Sequence, residues 1–225
     1  MKALAIDTAT EACSVALYDD GSVLSKFELC PQQHSQRLLP MVDEILAQAQ
    51  YKLSDLDGLV FGRGPGSFTG VRIATGMIQG LALATELPVV GVSTLAAMAQ
   101  QAFALGDTGV VAAAIDARMS EVYFGLFACE GGLAVAVEEE QVCAPDLAAE
   151  MCRLKSFHAV GTGWQAYPAL EQINSHSVEI LYPAAEYMLP LGIRELEQGG
   201  AKDVESITPV YLRDKVTWKK LPGRE

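Results

Sequence analysis

The chain of 225 residues is 50% hydrophobic, 20% charged and 7% aromatic, which excludes a disordered, collagen-like or fibrous protein and leaves room for one large domain or two small ones. Sixteen basic residues against 28 acidic ones give a formal net charge of −12. Such a body repels phosphate backbones and is not expected to grip nucleic acid unaided.

Lys2 to Ile6 is a compact apolar run that reads as a strand. Ser14 to Leu17 leads into the turn signal Tyr18-Asp19-Asp20-Gly21, and Ser22 to Leu29 continues as a third strand of an antiparallel meander. From His34 the period changes: Leu38, Leu39, Met41, Val42, Ile45, Leu46 and Ala49 repeat at three and four, which predicts an amphipathic helix with Pro40 inside it as a kink or an irregular first turn. Gly58 to Gly62 reads as a buried strand, Gly64-Pro65-Gly66-Ser67 as a loop and Thr69 to Thr85 as a second helix. Pro88 to Val92 is a further strand, with Ser93 as the N-cap of a helix over Thr94 to Ala104.

The second half opens as the first does. Ala114-Ile115-Asp116, a polar turn and Phe124 to Phe127 repeat Ala5-Ile6-Asp7, a polar turn and Val15 to Tyr18, with Asp7 to Asp116 and Tyr18 to Phe127 both 109 residues apart. Helix over Pro145 to Lys155, strands over Phe157 to Val160 and Val178 to Leu181, and a helix over Ala184 to Gln198 stopped by Gly199-Gly200 complete the series. The expected architecture is α/β: two facing βββαβα units of the actin-like type shared with sugar kinases and acetate kinase. The boundaries expected are 1–105 and 106–205, followed by an extended tail, 206–225, that packs back on the body.

In that architecture the turn after the first strand of each unit meets ATP phosphates, which requires open backbone beside a carboxylate. The first turn, Asp7-Thr8-Ala9-Thr10, carries hydroxyls but no glycine, and the second, Asp116-Ala117-Arg118-Met119-Ser120, places long side chains where the backbone should be open. A degraded phosphate site is the expectation. The loop Gly62-Arg63-Gly64-Pro65-Gly66-Ser67-Phe68-Thr69-Gly70 has two readings. Its N–H groups, at Gly64, Gly66, Ser67 and Thr69, could hold an anion at a helix N-terminus, or its glycines could serve backbone geometry alone. It is neither a Walker A loop nor the dinucleotide fingerprint.

Gly76, Gly80 and Ala84 fall four apart on the second helix, flanked by Ile73 and Met77. They suit either packing on the protein's own sheet or an intermolecular contact shared with Leu38, Met41, Val42 and Ile45 of the first helix. His34, His158 and His176 are the only histidines and no two lie within a helical turn, so no metal site is expected. The five cysteines contain no C-x-x-C pair. Cys13 and Cys129 sit in apolar runs as small hydrophobes, no stretch has the length of a membrane span, and a cytoplasmic location is expected. From Arg213 to Glu225 there are five basic and two acidic residues, and Arg213, Lys215, Lys219 and Lys220 with Trp218 are either an RNA or acidic-partner contact or a solubilising end.

Four segments together resemble the TsaB (YeaZ) family: Ala5-Ile6-Asp7-Thr8, His34-Ser35 with Leu38-Leu39-Pro40, Gly64 to Ile73, and Pro209-Val210-Tyr211-Leu212-Arg213-Asp214. The resemblance runs from the first strand to the tail. It implies a catalytically silent relative of TsaD, lacking the histidine pair with which TsaD holds its metal. It further implies that, with TsaD and the ATPase TsaE, the chain supports formation of N6-threonylcarbamoyladenosine at position 37 of tRNAs reading codons that begin with A. Homodimerisation through the N-terminal helices, docking of TsaD on the same surface, tRNA contact only through the complex and at most an interface-shared nucleotide are likewise implications of the resemblance. The alternative class is an active ATPase or small-molecule kinase with Asp7 and Asp116 near magnesium.

Overall fold

A computed structural model describes residues 1–153, 156–174 and 178–213. Strands β1 (Lys2–Asp7), β2 (Ala12–Asp19) and β3 (Ser22–Leu29) form an antiparallel meander, and β4 (Gly58–Gly64) and β5 (Val89–Ser93) continue it in parallel, in the order β3-β2-β1-β4-β5. Asp20 and Gly21, with φ of 43° and 102°, make the two-residue turn between β2 and β3, where a strand pair of natural twist requires positive φ at both positions. The second unit repeats the meander with β6 (Val110–Asp116), β7 (Val122–Glu130) and β8 (Leu133–Ala136). β9 (Gln141–Cys143) pairs with the start of β7, and β10 (Phe157–Val160) lies parallel to β6.

Helices α1 (His34–Ala49) and α2 (Phe68–Thr85) cover the outer face of the first sheet. α3 (Thr94–Ala104) packs on the inner face of the second sheet. The outer face of that sheet is covered by α4 (Pro145–Cys152), α5 (Gly163–Ala166) and α6 (Pro168–Glu171), with Trp164 fully buried among them. α7 (Ala185–Glu197) packs on the inner face of the first sheet through Ala185, Met188 and Leu189. Each unit therefore ends in a helix that lies on the other unit's sheet, so the two lobes share a core. This is the duplicated actin-like α/β fold.

Three expectations are corrected. Val178 to Leu181 joins no ladder among the described residues; Gly161 N–H donates to the Ile180 carbonyl at 2.7 Å. Cys129 lies exposed at the far end of β7, whereas Cys13, Cys30, Cys143 and Cys152 are buried. The 109-residue repeat holds along β2 and β7 but slips by one between β1 and β6. Leu17 pairs with Leu4, whereas its counterpart Leu126 pairs with Ala112, 108 residues after Leu4. The second turn is one residue longer, and a slip of one exchanges the faces of every side chain on a strand.

Pro40 sits inside α1 without interrupting it. No helix among the described residues is long and apolar enough to cross a membrane. The expected helix over Pro145 to Lys155 is observed to Cys152, and Leu154 and Lys155 lie outside the described residues, as do His176 and the basic tail from Asp214 onward. Residues 207–213 run back over the first lobe: Gln79 donates to the Ile207 carbonyl at 3.0 Å and Val210 N–H to the Arg63 carbonyl at 2.8 Å.

Candidate functional site

The turns after β1 and β6 face each other across a cleft of about 630 Å³, lined among others by Glu11, His34, Ser67, Phe68, Arg118 and Arg213. Asp7, at the end of β1, is fully buried. Its Oδ1 accepts from Ala9 N–H at 3.1 Å, and its Oδ2 has no partner. Burial pushes its carboxyl up to about 7 from 3.8, with the Ala9 hydrogen bond opposing. A Cβ at Gly62 would stand 1.8 Å from Oδ2, so the carboxylate is held under β4 and away from the cleft.

The glycine loop closes over this turn. Ser67 N–H donates to the Ala9 carbonyl at 2.7 Å, and Thr8 Oγ1 donates to the Gly70 carbonyl at 2.7 Å. Cβ atoms at Gly66 and Gly70 would stand 2.3 Å from the Ala9 oxygen and 2.0 Å from the Thr8 oxygen. Real Cβ contacts essentially never come that close, so the glycines are required by backbone packed on backbone. Gly64 has φ +94° and precedes a cis Pro65, and Thr69 is exposed on the first turn of α2. Ser67 caps α2 by accepting from Gly70 N–H at 3.4 Å. The loop turns the chain and seats the first strand. The Ser67 and Gly70 amides that a phosphate would use are already engaged.

The second turn is blocked differently. Arg118 places Nη1 2.8 Å from Asp116 Oδ2, donates its N–H to Oδ1 at 2.9 Å and reaches Glu11 of the opposite lobe at 3.8 Å. Arg118, Met119 and Ser120 all lie in the left-handed region, with φ of 61°, 56° and 60°. Asp116 also accepts from Tyr167 at 2.7 Å; burial first, and then this bond, pushes the Tyr167 hydroxyl up to about 12. The slipped register explains the asymmetry: Asp7 lies on the α7 side of its sheet, Asp116 on the α5–α6 side. They do not form a pair. Nor do three His, Cys, Asp or Glu side chains converge as metal ligands among the described residues. A nucleotide held between the turns, as the fold implies, does not fit these residues.

The outer helices divide the expected contact residues in two. Leu38, Met41 and Ile45 are fully buried and Val42 is 1% exposed, all in the chain's own core against the first sheet. They are not available to a partner; the amphipathic stripe of α1 is satisfied by the first sheet, with β2 and β3 its nearest strands. On α2, Ile73 and Met77 are half-buried, whereas Gly76, Gly80 and Ala84 are exposed, and nothing lies within 4 Å of a Cβ built at either glycine. Leu83, beside them, is 67% exposed. At the head of the same helix Arg72 stacks 3.4 Å over the exposed Phe68 ring, with Tyr211 5.8 Å from Phe68. Sequence periodicity did not separate α1 from α2, because it reports a stripe and not what covers it. Arg213, at the start of the basic tail, places its guanidinium 2.5 Å from Glu121.

Residues 27–220 match the family model described as TsaD: tRNA N6-adenosine threonylcarbamoyltransferase. Over the full length of both chains the sequence is 51% identical to the tRNA threonylcarbamoyladenosine biosynthesis protein TsaB of Escherichia coli (strain K12). The chain belongs to the TsaB family. The Haemophilus influenzae TsaB is 47% identical over 99% of this chain and 98% of its own. The solved structure of YeaZ from Pseudomonas aeruginosa superposes with a TM-score of 0.84 at 42% identity, covering 94% of this chain and 99% of that one.

Proposed function

We propose that the protein is a non-catalytic accessory subunit in the formation of N6-threonylcarbamoyladenosine in tRNA, acting through association with a TsaD homologue. Full-length kinship with the TsaB proteins carries this reading. The geometry supports it from the negative side: engaged Ser67 and Gly70 amides, a buried Asp7 and a plugged second turn are ill suited to the phosphate site of an ATPase or kinase. From the positive side, α2 offers the small exposed face Gly76, Gly80 and Ala84 beside Leu83, on which another helix can approach closely. Our reading is that this face of α2 docks TsaD, pairs two copies when TsaD is absent, and gives TsaE its place on the assembled pair. tRNA is reached only through the complex, in a reducing cytoplasm where thiols stay reduced.

The test is Gly80→Arg, which enters open space and favours the helix. An arginine driven into a close helix contact is expected to cost about 2–4 kcal/mol, a loss of roughly 30-fold or more in affinity. TsaD should no longer co-purify, and tRNA modification in a mixture reconstituted with TsaD and TsaE homologues should fall accordingly. Undiminished binding and modification by the Gly80→Arg protein would remove α2 from the docking surface. Modification unchanged when the chain is left out would overturn the accessory role itself.

A further inference from the structure

The edge of the first sheet remote from the cleft is bare. β3 is the terminal strand, eight residues long, without proline, glycine or bulge, and in unbroken register with β2. Natural edges of this kind are normally blunted, because a row of open N–H and C=O groups templates another strand. The two-residue turn makes Asp19 and Ser22 the closing hydrogen-bonded pair. By alternation, Ser22, Leu24, Lys26 and Glu28 spend their backbone groups on β2. Val23, Ser25, Phe27 and Leu29 therefore direct theirs outward. The same four residues share the α7 side of the sheet, and Val23, Phe27 and Leu29 are 44%, 46% and 59% exposed.

We propose that β3 is a pairing edge on which a second copy of this chain adds in antiparallel fashion, with the two-fold axis at Phe27. The choice of a second copy rests on charge. Lys26 and Glu28 lie on the α1 side, where they pair with Glu44 and with Arg37. An axis at Phe27 sets Lys26 of each copy opposite the partner's Glu28, which extends these pairs into a ladder of alternating sign. Moving the axis to Lys26 sets like charges opposite each other, and moving it to Ser25 sets Lys26 against the partner's Leu24. Only an outward-directed residue can sit on the axis as a hydrogen-bonded pair, and Phe27 is one. The two Phe27 rings then cover each other on the apolar side, flanked by Leu29 over the partner's Ser25. This face of the sheet is opposite to α2, so the pairing is independent of the docking proposed above.

Single cysteines test it. In a Cys129→Ser, Gly80→Arg background, which removes the exposed thiol and the α2 contact, Phe27→Cys and Val23→Cys are oxidised at micromolar concentration and read on a non-reducing gel. Across the proposed axis the two Phe27 positions face each other at about 5.5 Å between Cα atoms, within disulfide reach. The two Val23 positions are roughly 27 Å apart along the strands. Thiols held at an interface have an effective concentration near millimolar, so Phe27→Cys should cross-link on the order of a hundredfold faster than Val23→Cys. Equal rates, or no covalent dimer from Phe27→Cys, would overturn the proposal. Capture of a different protein by β3 in place of a second copy would overturn it too.

Discussion

Replacing Asp7 by asparagine should flatten the dependence of folding stability on pH. The Asp7 carboxyl is fully buried, with Ala9 N–H donating to Oδ1 and no partner at Oδ2, so its ionised form is disfavoured in the folded chain. Burial raises it from 3.8 to about 7, whereas in the unfolded chain it titrates at its ordinary value. The folded state thus holds this proton over the whole interval. The resulting stabilisation is complete below the unfolded value and is lost as pH rises through 7. The interval corresponds to about 4 kcal/mol, of which about 1 kcal/mol is lost between pH 6 and pH 8. Asparagine keeps the acceptor for Ala9 N–H but places an amide nitrogen where Oδ2 finds no partner, which lowers stability by an amount independent of pH. The slope is therefore the readout. Urea unfolding at steps of pH from 5 to 9, followed by the fluorescence of the buried Trp164, should show the wild type losing stability where the Asp7→Asn protein does not. All other titratable groups are common to both proteins. Parallel curves would refute an ionisable Asp7 held proton-bound by the fold.

The glycines make a paired contrast. Gly70→Ala, which brings Cβ to 2.0 Å of the Thr8 carbonyl oxygen, should destabilise by about 2 kcal/mol or more, or abolish soluble expression. Gly76→Ala, with open space around its Cβ in the middle of α2, should raise stability by up to about 1 kcal/mol in thermal melts. A Gly70→Ala protein as stable as wild type would show that the glycine loop can move off the first turn.

The strand meanders, both outer helices of the first lobe and the N-cap at Ser93 were legible because each is written in local chemistry. Asp-Gly fits a two-residue turn, apolar residues at three and four define α1, and Ser93 accepts from Ala96 N–H at 3.2 Å. What failed was non-local. Nothing in the sequence distinguishes Met41, fully buried under α1, from Gly80, exposed on α2, because both lie on apolar or small stripes of adjacent helices. The one-residue slip between β1 and β6 was invisible for a similar reason. The repeat was read from residue likeness, Asp7 with Asp116, and only strand pairing reveals that these carboxylates point to opposite faces. The short helices Gly163–Ala166 and Pro168–Glu171 carry too few residues for a period to emerge.

A phosphate-handling member of this fold needs three things: free amides at the first turn, a carboxylate that can reach the cleft, and lobes able to close on a ligand. Each is countered here by an identifiable contact. The Ala9 carbonyl takes Ser67 N–H, and Gly62 leaves room for Asp7 only beneath the strand. The lobes are tied at both ends, by Ser93 to Glu140 on one side and by Arg118 toward Glu11 on the other. The Arg118 contact is exposed and worth little alone, but the Ser93 bond is half-buried and shares its hydroxyl with the α3 cap. Restoring one feature should not restore the rest, because the three constraints sit on different strands. The surfaces remain free to vary without them: the small face of α2 and the open edge of β3 lie on opposite sides of one sheet. Neither is needed to hold that sheet together, so both can be given over to partners.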